Sequence, residues 1–177
     1  MSGYMQLKDI DITKYDTILL DRDGTINVHI IGGYVCRWAD FEFIPDVVET
    51  IAKWSKKVKY IFIITNQRGI GRGKYTDKDL ADIHQHMCEE IEAYGGRIDK
   101  IYYCSALSDD DERRKPHTGM FLEVMKDFPD VKLCDCVMIG DGEVDMKFAE
   151  NCGIDGIRVD SLKKDNGSYY TVKARMD

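Results

Sequence analysis

Thr17-Ile-Leu-Leu-Asp21-Arg-Asp23-Gly-Thr25 decides how this chain folds. The apolar run is too short for a helix and ends abruptly in acids and a glycine, as a strand buried on both faces does where it hands over to a turn. Lys59-Tyr-Ile-Phe-Ile-Ile-Thr65 and Cys136-Val-Met-Ile-Gly140 repeat the design, and Lys100–Cys104 and Gly156–Val159 are weaker versions of it. Between these runs lie segments of helical period. Pro45 opens a helix over Asp46–Lys57, and Thr76 with Asp79 three residues on opens one over Asp77–Tyr94 that Gly95-Gly96 stops. Two further helices are expected at Gly119–Asp127 and at Val144–Asn151, the latter closed by Gly153. Strands alternating with helices predict an α/β fold, Rossmann-like, with about five parallel strands in a central sheet and helices on both faces.

With 177 residues, 44% hydrophobic and 32% charged, the chain has the length and composition of one domain, residues 1–177. Its core is expected over about 15–160, with 161–177 a polar tail or loosely docked cover. A net charge of −7 gives no general attraction to nucleic acid or anionic membrane, so any bound phosphate must be met by local cations. No apolar run approaches the ~20 residues that cross a bilayer, and Met1–Tyr15 is polar and acidic rather than leader-like. A cytoplasmic monomer is expected. Six cysteines lack the dense spacing of a disulfide scaffold and read as reduced thiols, with Cys134 and Cys136 inert rather than metal-binding.

In an open parallel sheet, ligands gather beyond the carboxyl ends of the strands. Those ends carry Asp21 and Asp23, then Thr65-Asn66-Gln67, then Asp141 with Glu143 and Asp145, and Lys115 follows the strand that ends at Cys104. A turn at Gly24 lets two carboxylates spaced two apart reach one centre. Asp21, Asp23 and Asp141 together form the oxygen-rich donor set that Mg²⁺ prefers. The pattern suits phosphoryl transfer to a carboxylate. Asp21 would be the nucleophile and Asp23 the acid and base, Thr65 and Asn66 would hold phosphoryl oxygens, and Lys115 would offset developing charge. Other polar residues read more plainly. Asp145 is either a site residue or a first-turn helix acid, His84 and His86 are surface or boundary residues, Glu143 is exposed, and His117, following Lys115-Pro116, either touches substrate or stands outside the site. Trp38, Phe41 and Phe43 anchor a loop, and Asp109–Glu112 is a solvated acidic loop.

Asp21-x-Asp23-Gly-Thr25, Thr65-Asn66, Lys115-Pro116 and Gly140-Asp141 with Asp145, in this order across Leu19–Val159, resemble the haloacid dehalogenase superfamily of phosphohydrolases. Longer stretches, among them Gly33-Tyr34, Gly69-Ile-x-Arg-Gly-Lys74, Ile101-Tyr-Tyr-Cys104 and Arg114-Lys-Pro-His, are similar to the branch holding heptose-bisphosphate and histidinol-phosphate phosphatases. The resemblance implies a core without a large cap, acting on a small-molecule phosphate ester. It also implies substrate contacts at Arg22, Gly33, Tyr34, Asn66, Gln67 and Arg114. Arg68 stands where the branch carries a small residue and adds a cation beside the phosphate. Relatives in this branch hold a structural zinc after the third strand; here the loop Cys104–Arg114 is shorter and keeps one cysteine, so no zinc is expected. A nucleic-acid 3′-phosphatase and a non-catalytic binding module are the competing readings, the first disfavoured by net charge and the second by the intact acids and lysine.

Overall fold

The computed structural model describes residues 5–173. Its central sheet is built from β1 (Thr17–Leu20), β3 (Tyr60–Asn66), β4 (Lys100–Cys104), β5 (Cys136–Gly140) and β6 (Asp155–Arg158), in the order β4-β3-β1-β5-β6. Every neighbouring pair is parallel. β1 lies centrally between β3 and β5, with Leu20 opposite both Ile63 and Ile139, so Asp21 leaves the sheet between β3, which runs on to Asn66, and β5, which ends at Gly140.

Successive residues of these strands feed opposite cores, which is why the strands read as unbroken apolar runs. Ile18, Leu20, Ile61, Ile63, Val137 and Ile139 pack towards α1 (Val47–Ser55) and α3 (Asp77–Ala93). Leu19, Phe62, Ile64 and Met138 pack towards α4 (Gly119–Asp127) and α5 (Glu143–Cys152). The start of α3 is a closed capping box: Asp79 donates its N–H to Thr76 Oγ1, and Thr76 donates its N–H to Asp79 Oδ2. Gly153 ends α5 in the left-handed region at φ 70°.

The expected tail is a folded hairpin. β7 (Ser161–Asp165) and β8 (Ser168–Val172) pair antiparallel through Asn166-Gly167, both at positive φ, and β7 also pairs with β2 (His29–Ile30). Asn-Gly between two short strands is a strong hairpin signal, and the polarity of the surrounding residues obscures it. Residues 174–177 of that expected tail lie outside the described residues. Two further elements, β2 and α2 (Arg68–Gly71), are too short to leave a period in the sequence.

Two connections overhang the strand ends. Residues 21–46 contain only β2 and a short 3-10 turn at Trp38–Asp40, and residues 105–118 contain no helix or strand, so among the described residues no cap domain covers the site. Trp38 stacks on Phe41 and on His86 of α3, while Phe41 and Phe43 pack against the core, so these aromatic rings anchor the first connection. All six cysteines are unpaired. Cys136 is buried and Cys134 exposed, and the lone loop-side cysteine, Cys104, is buried with its thiol on Asp111.

Candidate active site

A cavity of about 250 Å³ opens at the carboxyl ends of β1, β3 and β5. Of the residues expected there, Asp21, Asp23, Gly33, Tyr34, Asn66, Gln67, Arg68, Arg114, Lys115 and Asp141 line it, joined by Asp145. A separate cavity of about 210 Å³, bounded by Leu7, Ile44, Val159 and Leu162, contains none of them.

At the floor, Lys115 donates to Asp21 Oδ1 at 2.9 Å and to Asp145 Oδ1 at 2.6 Å. Oxygens of Asp21, Asp141 and Asp145 lie within 4.8 Å of one another. Two glycines permit this approach. A Cβ on Gly24, at φ +88°, would stand 2.2 Å from Asp141 Oδ2, and one on Gly140 would stand 2.3 Å from Asp145 Oδ2. Burial and the neighbouring Asp145 raise the proton affinity of Asp21 well above the ordinary carboxylate range, against the pull of Lys115. Burial, with Asp145 nearby, also raises Asp141, although Ser161 opposes it. Burial works against the charge on Lys115, but Asp145 and Asp21 outweigh it and hold the ammonium form. Three carboxylates thus face one ammonium in a desolvated cluster, and a small divalent cation with oxygen preference fits both the donor set and the charge deficit.

Asp23 was expected in that donor set, yet its carboxylate is turned elsewhere and is not part of the cluster. Arg22 Nη2 donates to both of its oxygens at 2.8 and 3.0 Å, Asn27 donates at 2.9 Å and Gln67 at 2.9 Å. Burial pushes Asp23 up, but these partners, Arg22 foremost, hold it below the usual carboxylate range. Arg22 differs from expectation too. Its side chain is fully buried, lies behind Asp23 rather than among the residues that line the cavity, and places Nη1 3.1 Å from His84 Nε2. A substrate cannot reach that guanidinium; its work is on Asp23.

His84 is therefore no surface residue. It lies on α3 in line with Leu80, Met87 and Ile91, the inward face, and burial beside Arg22 lowers its pKa to about 3. The spacing of four, three and four between those residues was the available signal. Asp145 does both things proposed for it: Oδ2 accepts from the Gly142 N–H at the start of α5, and Oδ1 holds Lys115. Asn66 also has an unforeseen contact. Its side-chain amide donates to the Lys115 carbonyl and accepts from the Lys115 N–H, both at 3.0 Å, and so fixes the lysine's backbone. Thr65 is buried at the end of β3, where its hydroxyl accepts from Gln67 at 2.9 Å. His117 is exposed, with Nε2 2.9 Å from the Asp109 carbonyl.

This geometry can activate a phosphate ester: a nucleophilic carboxylate beside an ammonium, a cation-binding cluster, and a second carboxylate on its own hydrogen-bonded mount. The family profile for polynucleotide kinase 3 phosphatase matches residues 17–157. The chain belongs to that family of haloacid dehalogenase-type phosphatases. It is thus a phosphoric monoester hydrolase. The D-glycero-alpha-D-manno-heptose-1,7-bisphosphate 7-phosphatase of Campylobacter jejuni is 34% identical over 157 residues, 89% of each chain. The corresponding beta-named enzyme of Vibrio cholerae is 36% identical over 145 residues, covering 77% of this chain and 76% of its own. Among solved structures, the D,D-heptose 1,7-bisphosphate phosphatase of B. bronchiseptica, complexed with magnesium and phosphate, superposes with a TM-score of 0.74 at 28% identity, covering 80% of this chain and 78% of that one. Among the described residues of this phosphatase, no helix is long and apolar enough to cross a membrane.

Proposed function

We propose that this phosphatase removes the 7-phosphate of a D-glycero-D-manno-heptose 1,7-bisphosphate. The reading is supported by its named relatives and, above all, by Asp21 facing an open cavity while held by Lys115 in a cluster with Asp141 and Asp145. Asp21 attacks phosphorus, the ester P–O bond breaks, and the departing alkoxide takes a proton from Asp23. Water then attacks the aspartyl phosphate and surrenders a proton to Asp23, and the bond between phosphorus and Asp21 breaks. At rest Asp23 is poised as the base of the second step; a phosphate dianion beside it raises its proton affinity for the first. Asp21 and Asp141, with Asp145 alongside, are the residues that would hold a Mg²⁺, which when bound would neutralise charge between nucleophile and phosphate. Thr65 and Asn66 meet the phosphoryl oxygens, and Lys115 offsets their charge in the transition state.

The test is inorganic phosphate release across a panel of heptose 1,7-bisphosphate anomers, histidinol phosphate, fructose 1,6-bisphosphate and a DNA 3′-phosphate, compared by kcat/KM. Heptose bisphosphate should lead. Asp21→Asn should lower kcat by about a thousandfold or more, the scale of losing a nucleophile. Preference for histidinol phosphate or the DNA end would replace the substrate, and equal inactivity of wild type and variant throughout would remove the reading.

A further inference from the structure

Besides Lys115, two cations line the cavity, Arg68 and Arg114, and neither is bonded to the Asp21 cluster. Arg68 comes from α2 and Arg114 from the stretch before Lys115, and both guanidiniums converge on one oxygen of a third residue, Asp109 Oδ1. Arg114 Nε donates at 3.2 Å, and Arg68 Nη2 donates to the same oxygen. The arginine side chains are largely covered, at 24% and 15% exposed, whereas Asp109 is 84% exposed. Arg68 Nε and Arg114 Nη1 are buried and have no hydrogen-bond partner, so the pair has donor capacity that one carboxylate oxygen leaves unused.

Arg68 and Arg114, already expected among the substrate contacts, offer an anion subsite, and we propose that Asp109 is a built-in competitor for it, displaced when a substrate carries a phosphate at the end remote from the scissile ester. The proposal rests on the phosphatase reading above and extends it to Asp109, in the shortened loop. The physical balance favours exchange. Asp109 is solvated, so its ion pairs are weak and little is lost when they open. The guanidiniums are partly desolvated and need an anion, and a phosphate brings two charges and three oxygens matched to paired forks. A neutral or singly charged end gains less than Asp109 already provides and leaves the carboxylate in place. Asp109 therefore sets a threshold that a remote phosphate passes.

The experiment uses the full chain in two settings. In active enzyme, Asp109→Asn should raise the ratio of kcat/KM for heptose 1,7-bisphosphate over a singly phosphorylated sugar by about fivefold, mostly through KM. In the Asp21→Asn background, which needs no turnover, inorganic pyrophosphate should bind about fivefold tighter when Asp109→Asn is added, a gain that Arg68→Met cancels. A pyrophosphate affinity that Asp109→Asn leaves unchanged or weakens overturns the subsite competition even if the phosphatase assay succeeds. Inactivity on every ester, with pyrophosphate binding still tightened by Asp109→Asn, would instead count against the proposed reaction alone and leave the subsite standing.

Discussion

His84 illustrates how a single side chain is governed by what surrounds it. A neutral imidazole that accepts from Arg22 satisfies a guanidinium buried without water, whereas an imidazolium there would set two cations against each other. The folded pKa of about 3 lies below the ordinary value of 6.5, so the stabilising effect is complete above 6.5 and is lost as pH falls from there towards 3. His84→Gln retains an acceptor without a titrating ring. Across that window the wild type should lose up to ~1.4 kcal/mol per pH unit more than the variant, measured by urea unfolding at a series of pH values. Asn66 is the second case. It grips the backbone of Lys115 from both sides, so Asn66→Ala should lower kcat by about 10- to 100-fold through misplacement of an otherwise intact ammonium, with the fold unchanged by circular dichroism.

Among the elements, the C-terminal hairpin has the least obvious part in the site. β7 pairs with β2, and β2 contributes His29 and Ile30 to the cavity wall, while Tyr169 donates to both oxygens of Glu42 in the same connection. The hairpin is thus the frame on which the overhanging loop is stretched. Gly167 sits at φ +84°, where a β-branched residue is strained. Gly167→Val should cost about 1–3 kcal/mol locally, raise KM more than it lowers kcat, and speed amide exchange at His29 and Ile30. The core elements were legible because each follows a rule within a few residues: an apolar run closed by acids for β1, a capping box for α3, a left-handed glycine after α5. β2 and α2 span too few residues to show a period, and their shape comes from what they dock against.

For the molecule as a whole, acids far apart in sequence converge on one desolvated cluster with too little positive charge to balance them. A divalent cation that binds this cluster only in the folded state should stabilise the whole chain. At a hundredfold excess over its Kd the gain is about 2.7 kcal/mol, a rise in Tm of roughly 5–10 °C for a domain of this size. Removing Mg²⁺ with EDTA should abolish phosphate release, lower Tm by that amount, and leave far-ultraviolet circular dichroism intact. Asp141→Asn should abolish the Tm response to Mg²⁺.

Sequence by itself determined the α/β order, the placing of Asp21, Thr65 and Asp141 at strand ends with Lys115 in a connection that follows one, and the family, because strand period, capping and ordered motifs are written in near neighbours. Only tertiary structure decided that Arg22 faces His84 and Asp23 rather than substrate, that Asp145 joins the cluster while Asp23 stands outside it, and that Asp109 bridges two arginines. Each of those outcomes involves at least one partner tens of positions away, and depends on which polar groups packing leaves without water, and neither is carried by a local pattern.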